Sequence, residues 1–276
     1  MIKNCDMDPS MQKPLLIRIL RFYPLQKRAF FRFYHPVKRH WFPLFDGCPL
    51  TAAPGIRMRL MPTDFMHGLI AFTGMYEDTL THELSKKAKN GGVFVDVGAN
   101  AGYFSLIWAA LNPCNTVLAF EPSPTNVQLV EYNIRANCLS DRIKIYPFAL
   151  GKAKTVMPFD RGPSTLSGWG GISLTQHENT FDVAVRRLDD LIDESTIVDI
   201  MKIDVEGADT WVIMGAEALL LKKRIRVLYF EQNKLRLRQL NIGQNDANNF
   251  LSSVGYRVEA ISDVTKDVVD WMAVPT

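Results

Sequence analysis

The segment Val93-Phe-Val-Asp-Val-Gly-Ala-Asn-Ala-Gly-Tyr103 constrains this chain more than any other. Its first five residues form a short apolar, β-branched run broken by one acid, the pattern of a strand buried on both faces. A tight glycine turn follows, and then a helix from Gly102 to Leu111. Strand, turn and helix in that order open a parallel sheet covered by helices. The unit recurs along the chain. Strands are expected at Thr116 to Phe120, Arg142 to Phe148, Asp199 to Ile203, Ile225 to Phe230, Tyr256 to Ile261 and Val268 to Val274. Helices are expected at Tyr76 to Ala88, Pro124 to Asn137 and Ala208 to Leu221. Ile56 to Met61 alternates like a half-buried strand. The expected fold is therefore α/β, a doubly wound, mostly parallel sheet. The stretch Arg161 to Thr180 holds four glycines and reads as a mobile loop or an irregular hairpin.

The glycine turn after Val97 invites a ligand, because glycine admits close backbone approach and a helix N-terminus offers free N–H groups. A dinucleotide fold wants G-x-G-x-x-G. Here the pattern is Asp-x-Gly-x-x-x-Gly, with Asp96, Gly98 and Gly102. A carboxylate at Asp96 repels a pyrophosphate but pairs with the ammonium of an amino-acid ligand. S-adenosylmethionine carries such an ammonium and no phosphate. Nineteen residues after Gly102, Glu121 ends the next strand, where an acid accepts hydrogen bonds from both ribose hydroxyls. The alternative for each acid alone is to cap the following helix. Together, at this spacing, they point to the cofactor.

These segments resemble the FkbM family of S-adenosylmethionine-dependent methyltransferases. The resemblance runs from about Phe65 to Asp263. It includes Thr73-Gly-Met-Tyr-Glu77, VFVDVGANAGYFS at 93–105, AFEPSPTN at 119–126, Asn133 and Asn137, and Phe148-Ala-Leu-Gly151. It continues through Met201-Lys-Ile-Asp-Val-Glu-Gly-Ala208 to Tyr229-Phe-Glu-Gln-Asn233. Asp209 departs from it, standing where the family usually has Glu. The resemblance implies a seven-stranded class I, Rossmann-like sheet with its last strand antiparallel. It implies cofactor binding by Tyr76, Glu77, Asp96, Gly98, Asn100, Gly102, Tyr103, Glu121, Pro122, Ser123, Ala149 and Asp204. It also implies O-methylation of a small-molecule acceptor: a sugar, glycoside or polyketide-like natural product.

Methyl transfer to a hydroxyl needs its proton removed or its pKa lowered. A carboxylate base does the first and a bound Mg²⁺ the second. The strand ending at Ile203 delivers Asp204 and Glu206 to the carboxyl edge of the sheet, where open α/β folds bind ligands. Asp204 is the first candidate for handling the acceptor hydroxyl, with Glu206 and His177 behind it. Asp204, Glu231 and Asn233 form an all-oxygen set suited to Mg²⁺. Glu231 paired with an arginine and Asp204 ordering the next helix is the metal-free alternative. His67 and His82 are the other histidines outside the N-terminal arm. Trp169, between two glycines, is a candidate to stack on a sugar face or to plug its loop.

Charge divides the chain in two. Between Asp8 and Asp46 there is no acid, but there are Lys13, Arg18, Arg21, Lys27, Arg28, Arg32, Lys38 and Arg39. The rest is mildly acidic. Residues 1–50 thus read as a basic, aromatic arm of short helices and 51–276 as the catalytic domain. Leu25 to His35 is the clearest arm helix. It packs its aromatics on the domain, seats a homodimer, or lies peripherally on an anionic membrane. A nucleic-acid partner is not expected, since Asp204-Val-Glu-Gly207 replaces the Asn/Asp-Pro-Pro-aromatic turn of base-amino methyltransferases. The alternative to an enzyme is a catalytically silent cofactor-binding module recruited through the arm. No apolar stretch approaches the ~20 residues of a membrane span. Four scattered cysteines suggest free thiols and a cytoplasmic, reducing compartment, with a membrane-peripheral one left open by the arm.

Overall fold

In the computed structural model of the chain, the described residues are Ile19, 23–34, Gly47 and 49–276 without 62 and 164. The arm residues Lys13, Arg18, Arg21, Lys38 and Arg39 lie outside them. Helix α1 (Tyr23–Ala29) continues into a π-helical turn, Phe30–Tyr34. Helices α2 (Phe65–Thr73) and α3 (Asp78–Ala88) follow. The alternating units are β1 (Val93–Val97), α4 (Tyr103–Leu111), β2 (Thr116–Phe120), α5 (Pro124–Ala136) and β3 (Ile143–Tyr146). Four further strands come next: β4 (Ala149–Leu150), β5 (Thr155–Asp160), β6 (Gly171–Ile172) and β7 (Thr180–Arg186). The chain then returns through β8 (Ile200–Ile203), α6 (Asp209–Met214), α7 (Glu217–Leu221) and β9 (Leu228–Asn233). It closes with α8 (Lys234–Gln239), α9 (Asp246–Ser253), β10 (Tyr256–Ala260) and β11 (Val268–Pro275).

The main sheet has seven strands in the order β10-β11-β9-β8-β1-β2-β3. Only β11 runs antiparallel to its neighbours. Strand order reverses at β1, which lies between β2 and β8, so a crevice opens at the carboxyl ends of these three. Register sets Val97 beside both Phe120 and Ile203. Gly98, Glu121 and Asp204 therefore leave the sheet side by side. Apolar helix faces cover both sides. Leu106, Ile107, Trp108, Val130 and Ile134 pack on one, and Val212, Leu219, Leu220 and Leu251 on the other.

Three expectations are corrected. Ile56 to Met61 joins no sheet and forms one isolated bridge, from Arg57 to Pro49. Two asparagine side chains satisfy its backbone instead. Asn137 accepts from the Arg57 N–H at 3.0 Å and donates to the Arg57 carbonyl at 2.7 Å. Asn133 does the same for Arg59 at 2.7 and 3.1 Å. Ile56, Met58 and Leu60 are buried, which explains the alternation. Second, the strand reading missed a separate four-stranded sheet, β4-β7-β5-β6, to which the stretch from Arg161 to Thr180 contributes only Gly171–Ile172 and the start of β7. Third, Cys138 is disulfide-bonded, while Cys114 is free and exposed. Sequence spacing carries no information on which cysteines the fold brings within reach.

In the arm, Phe30 is fully buried against Phe65, Leu69 and Phe72 of the chain itself. Leu25 and Phe31 remain exposed. Among the described residues no helix is long and apolar enough to cross a membrane.

Candidate active site

A cavity of about 1050 Å³ occupies the crevice. At one end, the turn after β1 is bound to β2: the Gly98 and Ala99 N–H groups donate to the Phe120 carbonyl at 2.9 and 3.1 Å. Gly98 (φ 84°) lies against the Asp204 carbonyl oxygen and Gly102 (φ 86°) against Val130, so neither position has room for a Cβ. Packing, as much as ligand access, demands both glycines. Glu121 then grips the turn: Oε2 accepts from the Asn100 N–H and Oε1 from the Ser123 N–H, both at 2.9 Å. Burial pushes its carboxyl up to about 7 despite these bonds. Asp96 is fully buried. Its Oδ2 accepts from Ser105 Oγ at 2.5 Å, and its Oδ1 has no partner among the described residues. The Tyr103 hydroxyl accepts from the Tyr76 N–H at 3.1 Å and so fixes Tyr76 on the cavity wall.

Of the residues that the resemblance implies for the cofactor, Tyr76, Gly98, Asn100, Tyr103, Glu121, Pro122, Ala149 and Asp204 line the cavity. Glu77, Asp96, Gly102 and Ser123 stand behind that wall. Glu77, Asn100 and Glu206 have φ of 41°, 49° and 54°. Non-glycine residues in this region cost on the order of 1 kcal/mol each and gather at functional loops.

Gly162, Pro163 and the segment from Leu166 to Gly170 line the cavity. Ser167 donates its N–H to Asp64 Oδ2 at 2.5 Å, and Asn100 Nδ2 donates to Ser167 Oγ at 3.2 Å. Arg236 Nη2 donates to the Trp169 carbonyl at 2.5 Å. The Trp169 ring is 55% exposed at the cavity rim.

At the other end, oxygens of Asp204, Glu206 and Glu231 lie within 4.8 Å of one another. Burial, then repulsion from Asp204, raises Glu206 to about 7 and Glu231 to about 10. Beneath them, buried Asp209 accepts the Glu231 N–H on Oδ1 at 3.2 Å. Asp204, Glu231 and Asn233, the expected ligand set, all line the cavity here. Asn233 Oδ1 caps α8 by accepting from the Arg236 N–H, and its amide nitrogen donates to Glu206 Oε2 at 3.3 Å. Sequence reading also passed over Lys202, which lines the cavity with its Nζ 2.9 Å from Asp204 Oδ2. The signal was a lysine inside an apolar strand.

His177 is not brought into the site. It sits at the outer end of the β5–β7 hairpin, with Nε2 3.6 Å from Asp160 Oδ2, and does not line the cavity. His67 is buried: Nδ1 accepts from the Met61 N–H at 3.0 Å, leaving Nε2 to donate to Asn100 Oδ1 at 3.2 Å. Burial lowers its pKa, so it is a neutral buttress of the turn. His82 lies on α3 beside the Asp78 carbonyl.

A doubly wound sheet of this order, with the acid-flanked glycine turn at its switch point, defines the class I methyltransferase fold. The methyltransferase FkbM domain matches residues 96–258, and the chain belongs to that family. It is 30% identical over 144 residues to "Methyltransferase 1" of Beauveria bassiana (strain ARSEF 2860), covering 45% of this chain and 57% of that protein. It is 26% identical over 157 residues to "Methyltransferase sdnD" of Sordaria araneosa, covering 45% and 60%. The chain thus spans less than two thirds of either relative. A solved structure of methyltransferase FkbM from Methylobacillus flagellatus KT aligns at 16% identity with a TM-score of 0.48, covering 87% of this chain and 60% of that one.

Proposed function

We propose that the chain is an S-adenosylmethionine-dependent O-methyltransferase acting on a hydroxyl of a sugar, glycoside or natural-product acceptor. The observation that supports this most is that one cavity joins two kinds of acid: Glu121 on its glycine turn and the Asp204–Glu206–Glu231 cluster. Bound S-adenosylmethionine supplies an electrophilic methyl group on its sulfonium sulfur. Glu121 accepts from the ribose hydroxyls, and Asp96 with Glu77 offers counter-charge to the methionine ammonium. The Asp204–Glu206 pair takes the acceptor's hydroxyl proton. A carboxyl near 7 suits Glu206 to receive it at neutral pH. Trp169 offers the acceptor an aromatic face at the rim.

The three carboxylates also fit a hard divalent cation by donor type. Asp204, Glu206 and Glu231 would hold Mg²⁺, which would lower the hydroxyl's pKa. Lys202 and Arg236 already bring positive charge to Asp204 and Glu206, at 2.9 and 3.9 Å. We also read residues 1–50 as an arm on a domain spanning 51–276; its described part rests on α2 of the same chain.

The test is transfer of labelled methyl from S-adenosylmethionine to a panel of glycosides and hydroxylated polyketides. Label recovered as a base-stable methyl ether supports the reading. Label recovered only on nitrogen acceptors contradicts it.

A further inference from the structure

Lys202 is a buried charge that the reading above leaves without a ligand. It lies in Ile200-Met-Lys-Ile203, a strand with parallel neighbours on both sides, and is 5% exposed. An apolar residue would fill such a place without the several kcal/mol that burying an ammonium costs. Its Nζ donates to Asp204 Oδ2 at 2.9 Å and stands 5.0 Å from the centre of the Phe104 ring. An ammonium has three N–H bonds. The other two have no acceptor among the described residues. Register sets Lys202 directly beside Asp96 across the β1–β8 pair. The cavity wall therefore presents a cation with spare donors, set among carboxylates.

A ligand that matches this wall carries both charges, an anion for Lys202 and an ammonium drawn by Asp204 on the wall and by Asp96 and Glu77 behind it. That is an α-amino-acid group. We propose that Lys202 binds the carboxylate of the methionine moiety of S-adenosylmethionine, while Glu121 holds the ribose; this rests on the cofactor reading above. The span agrees. Glu121 follows β2 and Lys202 belongs to β8, on opposite sides of β1, so the two strands are roughly 10 Å apart. An extended methionine tail leads from the ribose across that distance. The acceptor hydroxyl is the weaker claimant, because one neutral oxygen accepts more weakly than a carboxylate, whose two oxygens can take both spare N–H bonds.

The test is calorimetric titration of the full chain, wild type and Lys202→Met, with three probes. These are S-adenosylhomocysteine, its analogue lacking only the carboxylate, and 5′-methylthioadenosine, which lacks the whole amino-acid group. In wild type, S-adenosylhomocysteine should bind at least roughly tenfold more tightly than the decarboxylated analogue. Lys202→Met should abolish that preference, leave methylthioadenosine affinity unchanged, and be rescued in part by Lys202→Arg. Equal wild-type affinities for the first two probes overturn the proposal, even if the variant does not fold. So does a folded Lys202→Met that keeps the preference. If wild type binds none of the three, the cofactor reading itself has failed. If wild type binds methylthioadenosine and has no preference for the carboxylate, only the role of Lys202 has.

Discussion

Glu121 and Glu231 both stand at the carboxyl edge of one sheet, and the fold treats them differently. Glu121 accepts two main-chain N–H bonds from the turns it joins, at 2.9 Å each. Its geometry is set by backbone and does not depend on a neighbour's charge. Glu231 instead faces Asp204, Asp209 and Glu206, and burial among those charges lifts it to about 10. The first end of the cavity is organised before any ligand arrives. The second holds more carboxylates than can ionise together, and a proton, a cation or a substrate must relieve them. Under the proposed function, that contrast assigns rigid recognition to Glu121 and proton handling to Asp204 and Glu206.

The largest expected effect tests that division. Asp204→Asn keeps size and most hydrogen bonding, and should lower turnover by roughly 10²–10⁴. Its affinity for S-adenosylhomocysteine should change far less, so steady-state kinetics and calorimetry on the same protein separate the two ends. Glu121→Ala should do the reverse first. Loss of its charge-assisted bonds should weaken S-adenosylhomocysteine by roughly ten- to a hundredfold. An unchanged affinity in a folded variant would remove the ribose assignment.

Protonation sharpens the comparison. Glu121 and Glu206 titrate near 7 in the fold against 4.5 for an ordinary glutamate. The unfolded chain gives up these protons first. Ligand-free stability should therefore fall as pH rises from about 4.5 to 7, and Glu231, lifted to about 10, should extend the fall above 7, which thermal melts across that range would show. Cofactor affinity should move the other way and rise as Glu121 ionises, since only the carboxylate accepts from both ribose hydroxyls; in Glu121→Gln the profile should be flat. Chelation addresses the other end. Activity lost to EDTA and restored by Mg²⁺ places an ion on Asp204, Glu206 and Glu231, whereas unchanged activity leaves the carboxylates as the base. The smallest effect belongs to His177→Ala, which should stay within about twofold of wild-type turnover, because that side chain lies outside the cavity.

The cofactor end was legible because its acids stand at strand ends before a glycine turn, a local pattern. The contact between Asn233 and Glu206 was not. It depends on the left-handed backbone at Glu206 and Gly207 and on Asn233 capping a helix whose start is set by tertiary packing. The second sheet stayed hidden for a similar reason. Its strands are short, β5 carries Pro158 and is half exposed, and no long apolar run marks it. The pairing of 56–61 with Asn133 and Asn137 joins residues more than seventy apart, beyond any local periodicity.

The central claim is that one bound cofactor spans both ends of the cavity. A crystal structure of the chain with S-adenosylhomocysteine tests it most directly. The account predicts ribose hydroxyls on the Glu121 carboxylate, the amino-acid group over Asp96 and Lys202, and the sulfur turned toward Asp204, Glu206 and Glu231. A ligand bound away from Glu121, or one whose sulfur faces away from the three carboxylates, would contradict it.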